Sequence, residues 1–239
     1  MIISVVGMPQ SGSTMLFNIV AELFNIHNIK YKSCLFGPKT YNRVLSFDDL
    51  RLRSKNNLFL VKEHHYQEDL ECISDFVIVS KRKIKESIAS RRRRGKGLFS
   101  KGKRLRGLHQ YDEKINPYHA FKEWCVYLTK DCYEDWLNAC SEEKILVFDY
   151  DDYSGSVESK EYFIKNLSDL LKLNTNNHQI SKLIDCVKIE NLKNNPIANQ
   201  KNFFNMNRIT NKDNKLKIED ALSEEEINYI NKNYPNYCW

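Results

Sequence analysis

The chain has 239 residues, of which 41% are hydrophobic and 28% are charged, with a net charge of +6. This length and apolar content allow one domain with a sizeable core, and no repeat or linker divides the chain. No apolar run approaches the roughly 18 residues that cross a bilayer. Because the first strand candidate starts at residue 2, there is no room for a signal peptide, and we expect a soluble cytoplasmic protein.

The seven cysteines are an odd number and show no paired Cys-x-x-Cys spacing. This pattern predicts free thiols in a reducing compartment and gives no support for a zinc site.

The first segment, residues 1–16, runs from an apolar strand pattern through a Gly/Ser/Thr loop into a helical pattern. Gly7 and Gly12 allow the backbone to turn tightly enough to direct its N–H groups inward. Ser13 and Thr14 can cap the helix that follows, and its positive N-terminal end favours phosphate or sulfate. The segment therefore predicts an anion site.

The spacing of this loop matches a P-loop except that Ser13 stands where a P-loop has Lys. Kinases and NTPases use that Lys to reach the β and γ phosphates, so its absence argues against ATP hydrolysis. The alternative at this stage is a strand-to-helix connection that binds no ligand.

The second segment, residues 58–64, is a strand candidate that ends in Lys62, Glu63 and His64. Ligands of open parallel sheets bind beyond the carboxyl ends of the strands. We therefore expect Lys62 and His64 to lie beside the anion loop, and the alternative is an ordinary surface strand end.

The third segment, residues 75–94, is a strand candidate followed by a helix, and Arg82 and Ser90 lie eight residues apart in it. A guanidinium group matches a phosphate with two parallel charge-assisted hydrogen bonds. The alternative is that both side chains are solvated on a basic helix.

These three segments, in this order, resemble the sulfotransferases that use 3′-phosphoadenosine 5′-phosphosulfate (PAPS). The resemblance implies an α/β fold in which helices flank a central parallel sheet, as in P-loop NTPases, and a single domain over residues 1–239. It also implies that PAPS is the donor, that adenosine 3′,5′-bisphosphate (PAP) is the product and that no metal is needed.

The resemblance also implies roles for individual residues. His64 would be the base, and Lys62 would steady the transferring sulfonate. The 5′-phosphosulfate would lie in the loop, the 3′-phosphate would be held by an Arg and a Ser, and a late loop over 196–217 would cover the nucleotide. The implied cofactor-binding residues are Gln10, Ser11, Gly12, Ser13, Thr14, Met15, Arg82, Ser90, Arg208, Thr210 and Lys212.

The sequence departs from the family pattern at two places. Gln10 stands where the family has Lys or Arg near the bridging oxygen of the phosphosulfate. The segment 208–212 lacks the Arg-Lys-Gly sequence that is usual in the family, so a flexible surface loop is the alternative interpretation there. Tyr150, Asp151 and Asp152 resemble the family's Tyr-Glu-Asp, to which we assign a structural role.

The segment 91–107 is rich in Arg and Lys and contains four glycines. We interpret it as a basic mobile flap that attracts an anionic acceptor or folds onto PAPS. Such a run would also bind a nucleic-acid backbone in a salt-sensitive way, and a solvated loop is the fourth interpretation.

Apolar spacing predicts the remaining elements of the chain. A long helix is expected over 118–138, a strand over 144–149, and amphipathic helices over 158–173 and 178–189. Ser223 and Glu226 predict a capping box at the start of the last helix.

The hypothesis from the sequence is sulfonate transfer from PAPS to a hydroxyl or amine of a small-molecule or saccharide acceptor. Neither a membrane nor a nucleic acid is expected as a partner. The alternatives are a small-molecule kinase with a degenerate P-loop and a non-catalytic nucleotide-binding or nucleic-acid-binding protein.

Overall fold

The computed structural model of the protein describes residues 1–35, 46–94, 117–187 and 218–238. Within these ranges, strands and helices alternate through most of the first half of the chain. The strands are β1 (Ile2–Gly7), β2 (Lys32–Leu35), β3 (Phe59–Lys62), β4 (Phe76–Lys81) and β5 (Ile145–Asp149). The α-helices are α1 (Ser13–Ile26), α2 (Phe47–Ser54), α3 (Glu68–Ile73), α4 (Ile84–Arg94), α5 (Pro117–Val126), α6 (Asp135–Ala139), α7 (Tyr150–Gly155), α8 (Val157–Leu170), α9 (Asn177–Cys186), α10 (Ile218–Ala221) and α11 (Glu224–Asn233).

The described strands form a parallel sheet in the order β2-β3-β1-β4-β5. The central strand β1 is buried along its whole length, which fits its run of β-branched residues. The chain places β2 and β3 on one side of β1 and β4 and β5 on the other, so the strand order reverses at β1. Ligands of such sheets bind in the crevice at this reversal, beyond the carboxyl ends of the strands.

Helices cover both faces of the sheet, because successive side chains of β1 point to opposite faces. Ile2 and Val6 belong to a core with α4, α5 and α11, whereas Ile3 and Val5 belong to a second core with α1, α8 and α9. This three-layer arrangement confirms the predicted fold class, an α/β fold with a parallel sheet between helices.

The helix that the sequence predicts over 118–138 is present but is interrupted by a π-helical segment. Helix α5 passes directly into the π segment Tyr127–Glu134, which is followed directly by α6. Segments with this wider hydrogen-bonding pattern are rare and often occur near functional sites. The apolar spacing alone did not reveal the change of pitch.

The C-terminal part confirms the predicted helices α8 and α9 and the capping box of Ser223 and Glu226. The basic segment requires one correction, since residues 91–94 belong to α4 and not to a flap. The rest of that segment lies outside the described residues, as do residues 196–217 with Arg208, Thr210 and Lys212.

All seven cysteines have free thiols. Among the described helices, none combines the length and the apolar character that a membrane span requires.

Candidate functional site

The loop between β1 and α1 is held closely against β4. The main-chain N–H of Met8 donates to the carbonyl oxygen of Ser80 over 2.9 Å. A Cβ on Gly7, which has φ of +108°, would overlap the Ser80 main chain, so only glycine allows this approach. The Ser11 hydroxyl is buried and lies within hydrogen-bonding distance of the Met8 carbonyl oxygen and the Ser80 hydroxyl. Ser11 therefore shapes the loop with its side chain.

The end of the loop forms the start of α1. Gly12 precedes the helix with φ of +78°, and Gln10 also has a positive φ, of 66°. Ser13 is buried, Met15 is half-buried and Thr14 is exposed. The free N–H groups of the first helical turn and the hydroxyl of Thr14 thus lie at an accessible helix N-terminus, where the helix dipole favours an anion.

Lys62 reaches this loop from the neighbouring strand. Lys62 pairs with Val5 of β1 at the carboxyl end of β3, and its Nζ donates to the Thr14 hydroxyl over 2.6 Å. The structure therefore places an ammonium group beside the loop, at the position that the sequence predicted for it. The positive charge lies where an anion would bind.

His64 lies on the same side of the loop. Its ring Nδ1 is 2.9 Å from the Gly7 carbonyl oxygen. Because a carbonyl oxygen can only accept, Nδ1 carries the proton and Nε2 is the basic nitrogen of the neutral ring. Among the described residues, no hydrogen-bond partner contacts Nε2.

The environment of His64 keeps its ring neutral. Although part of the residue surface remains accessible, the surrounding protein desolvates the ring and lowers its pKa to about 3. The positive charge of Lys62 lowers the pKa further, and the hydrogen bond to Gly7 opposes both effects. His64 is therefore unprotonated near neutral pH and can accept a proton at Nε2.

Arg82 follows β4 and contacts the loop from the other side of β1. Its Nη1 donates to the Gln10 carbonyl oxygen over 3.4 Å. Its guanidinium also lies 3.4 Å from Glu86 and 3.5 Å from Asp151. Arg82 thus holds its place at the loop through two carboxylates of neighbouring elements.

Helix α4 is joined to the same loop. The Ser87 hydroxyl donates to the Pro9 carbonyl oxygen over 2.6 Å. Residues three apart in a helix lie on one face, so Ser90 follows Ser87 on the face that meets the loop. The described part of the chain thus brings Gln10 to Met15, Lys62, His64 and Arg82 to one end of the sheet, with Ser90 one turn along α4.

The sulfotransferase domain model matches residues 2–234. The chain belongs to the sulfotransferase family. This match confirms the family that the three motifs predicted and the class of enzyme. No curated protein matches the sulfotransferase significantly by sequence.

Solved structures share the fold of this sulfotransferase at low sequence identity. Mouse sulfotransferase SULT7A1 complexed with PAP is 15% identical, with a TM-score of 0.53, over 99% of this chain and 81% of that one. Retinol dehydratase in complex with androsterone and inactive cofactor PAP is also 15% identical, with a TM-score of 0.61, over 99% of this chain and 80% of that one.

Tyr150 and Asp151 contribute more to the site of this sulfotransferase than the sequence indicated. A Cβ on Gly12 would overlap the Tyr150 ring, and the Arg82 guanidinium lies over that ring at 4.6 Å from its centroid. Asp151 accepts from the main-chain N–H of Lys83 over 2.8 Å. Tyr150 therefore packs against the loop and Arg82, and Asp151 holds the turn after β4. Both contacts agree with the structural role that we assigned to this segment.

Within the described residues, no group of His, Cys, Asp or Glu could hold a metal ion. The described polar groups of the site are hydroxyls, main-chain N–H groups, one neutral imidazole and two cations. They can bind an anion and accept a proton.

Proposed function

We propose that the protein transfers the sulfonate group of PAPS to a hydroxyl or amine of an acceptor molecule. The observation that carries this proposal is the placement of two side chains from one strand end. Lys62 Nζ contacts Thr14 over 2.6 Å, and His64 Nδ1 contacts Gly7 over 2.9 Å. A cation and a neutral base therefore lie beside the loop that we propose to bind the anion.

The 5′-phosphosulfate would be bound by the loop from Gln10 to Met15. The N–H groups at the start of α1 and the Thr14 hydroxyl supply donors for its oxygens. Arg82 and Ser90 are proposed to hold the 3′-phosphate. Arg208, Thr210 and Lys212 remain proposals from the family resemblance, since they lie outside the described residues.

In the proposed reaction the acceptor oxygen or nitrogen attacks sulfur, while the bond between sulfur and the bridging oxygen of PAPS breaks. The bridging oxygen leaves with its electron pair as part of PAP. His64 Nε2 takes the proton of the acceptor atom, and the Nδ1 proton stays on Nδ1 in its hydrogen bond to the Gly7 carbonyl oxygen. Lys62 stabilises the negative charge that develops on the sulfonate and the leaving phosphate.

Gln10 brings no charge to the loop, so the positive charge at the bridging oxygen must come from other residues. Lys62 contacts the loop at Thr14, and Arg82 contacts it at the Gln10 carbonyl. These two cations approach the loop from opposite sides of β1. They support the proposal that a neutral residue at position 10 is compatible with transfer.

The acceptor is proposed to be a small molecule or a saccharide, in either neutral or anionic form. The residues that would distinguish these classes include the basic segment beyond residue 94, which lies outside the described residues.

The test begins with nucleotide binding. Thermal unfolding is measured with PAP, ADP, ATP and AMP at equal concentrations. A ligand at 100 times its dissociation constant adds about 2.7 kcal/mol of stability. We expect PAP to give the largest shift, whereas a shift with ATP alone would contradict the proposal and favour a kinase.

The second part of the test addresses the base. PAP release from PAPS is followed with a panel of phenol, alcohol, amine and saccharide acceptors. We expect His64→Ala to lower the rate by about 10²- to 10⁴-fold, the usual range for a general base. His65→Ala is the matched control, and full activity of a variant that lacks both histidines would overturn the proposed mechanism.

A further inference from the structure

His64 is held at three points by three different parts of the chain. Its ring Nδ1 donates to the Gly7 carbonyl oxygen over 2.9 Å. Its main-chain N–H donates to Glu63 Oε1 over 2.7 Å, and its main-chain carbonyl oxygen accepts from Trp136 Nε1 over 3.3 Å. Both main-chain groups of the residue therefore have side-chain partners.

Glu63 is a buried carboxylate, with a relative exposure of 4%. Its main-chain N–H donates to the Val5 carbonyl oxygen over 3.1 Å and thus continues the pairing of β3 with β1. Its Oε1 also lies 3.4 Å from His65 Nδ1. Burial of a carboxylate is unfavourable unless hydrogen bonds compensate for it, and the main-chain N–H of His64 and the ring of His65 lie where they can supply these.

Trp136 is fully buried and comes from α6, directly after the π segment. Tyr66 packs edge-on against its ring at 5.2 Å between centroids. The main-chain N–H of Tyr66 donates to the Asp131 carbonyl oxygen within the π segment over 2.6 Å. The turn after His64 is thus attached to the long helix at two points.

We propose that Glu63 and Trp136 are positioning residues for His64. They fix the main chain of His64, so that its ring keeps the proton on Nδ1, where it is donated to the Gly7 carbonyl oxygen, and leaves Nε2 as the basic nitrogen. This inference rests on the proposed function of His64 as the base. It adds that the correct tautomer depends on two residues that do not contact the reacting atoms.

The tautomer has a physical reason to depend on these contacts. The hydrogen bond to Gly7 requires the ring to lie within about 3 Å of a carbonyl on the neighbouring strand. If the main chain of His64 can rotate, the ring moves away from that carbonyl and the proton is no longer bound to Nδ1. The second contact of the Glu63 carboxylate, 3.4 Å from His65 Nδ1, opposes such a movement.

The experiment measures the tautomer directly and needs no acceptor. Long-range ¹H–¹⁵N spectra of labelled protein at pH 7 distinguish Nδ1–H from Nε2–H, and His64→Asn identifies the signal. We expect wild-type His64 to be in the Nδ1–H form. In Glu63→Ala and Trp136→Phe the ratio of Nδ1–H to Nε2–H should fall about fivefold, the effect of one hydrogen bond.

Glu63→Gln and Glu142→Ala are the controls. The Gln side chain keeps an oxygen that accepts from the His64 N–H, so this variant should keep the wild-type ratio. Glu142 is exposed in the turn before β5, and its substitution should change nothing. PAP affinity, measured by calorimetry, should stay within about twofold in the folded variants, because the nucleotide loop is unchanged.

The outcomes separate the two proposals. An unchanged tautomer ratio in Trp136→Phe and Glu63→Ala, or an equal fall in Glu63→Gln and Glu63→Ala, would overturn the positioning role. If Glu63→Ala does not fold, Trp136→Phe and the wild-type tautomer decide the question. The proposed function is tested separately: it fails if ATP alone shifts thermal unfolding, or if a variant that lacks both His64 and His65 releases PAP at the full rate, whatever the tautomer.

Discussion

The guanidinium of Arg92 and the carboxylate of Glu226 form a two-point contact, with 2.8 Å from Nη1 to Oε2 and 2.6 Å from Nη2 to Oε1. Both side chains are largely buried, at 16% and 13% exposure. Arg92 also donates to the Ala221 carbonyl, and Glu226 caps α11 through Ser223. One arginine thus joins the two C-terminal helices to α4, the helix that carries Ser90.

Arg92→Ala should therefore destabilise the protein by about 3 kcal/mol, because it leaves a largely buried carboxylate without its partner. Urea unfolding measures the change. Arg51→Ala, at an exposed position of α2, is the control and should stay within about 0.5 kcal/mol. Equal effects of the two substitutions would show that the contact contributes no stability.

Lys62→Met should lower the rate of PAP release by about 10²- to 10³-fold, because the ammonium is expected to stabilise developing charge. PAP affinity should change much less, since the main-chain N–H groups of the loop remain. Lys165→Met removes an exposed lysine from α8 and should leave both quantities unchanged. A loss of PAP affinity equal to the loss of rate would assign Lys62 to nucleotide binding alone.

Gln10→Lys should strengthen PAP binding about tenfold, as expected for a hydrogen bond between a charged group and phosphate. Gln10 already has a positive φ of 66°, so the substitution adds no new backbone strain. Gln10→Met has a similar length without the charge and separates the two effects. Weaker binding by the Lys variant, measured by calorimetry, would show that this loop binds its anion differently from the family.

Gly12→Ala should weaken PAP binding as well as stability. The added methyl group would overlap the Tyr150 ring, and Tyr150 in turn lies under Arg82. The backbone at φ of +78° adds about 1–2 kcal/mol of strain for a residue with a Cβ. Gly155→Ala is the control, because nothing lies within 4 Å of its added methyl group. Calorimetric titration with PAP compares the two variants.

His64 should make the protein less stable as the pH falls. Its pKa is about 3 in the folded protein and about 6.5 in an unfolded chain. Between these values the unfolded chain binds more protons, so the free energy of unfolding decreases from pH 6.5 towards pH 3. His64→Gln should reduce this slope in calorimetric scans, and an unchanged slope would place the ring in water.

His65 should act in the opposite direction. Its hydrogen bond with Glu63 raises its pKa above the ordinary value. The stability that it contributes is complete below the unfolded pKa of about 6.5 and is lost as the pH rises through the folded value. The difference in melting temperature between wild type and His65→Ala should therefore shrink on going from pH 6 to pH 9.

The sequence predicted elements and motifs that depend on local spacing. Neighbouring residues were enough to predict strand β1, the loop with Gly7 and Gly12, the capping box of Ser223, and the ends of the strands that precede His64 and Arg82. Strand β2 and helices α2 and α3 were not predicted, because these short segments have weak apolar periodicity. Their packing against the rest of the fold determines their structure.

Contacts between residues far apart in the sequence determine the structural roles of several side chains. Ser11 belongs to the predicted loop, but its burial against Ser80 became visible only when β1 and β4 were paired. Arg92 is part of a basic run, and only the docking of α11 reveals that it forms a largely buried ion pair. Charge patterns cannot distinguish a solvated arginine from one that meets a partner more than a hundred residues away.

By itself, the sequence determined that an anion loop, a Lys-x-His strand end and an Arg–Ser pair occur in the order of a sulfotransferase. The tertiary structure decided which nitrogen of His64 is basic, through the Gly7 carbonyl, and which residues hold His64 in place. The physical reason is that local spacing fixes strands and turns, whereas a tautomer and a pKa depend on groups that only folding brings within hydrogen-bonding distance.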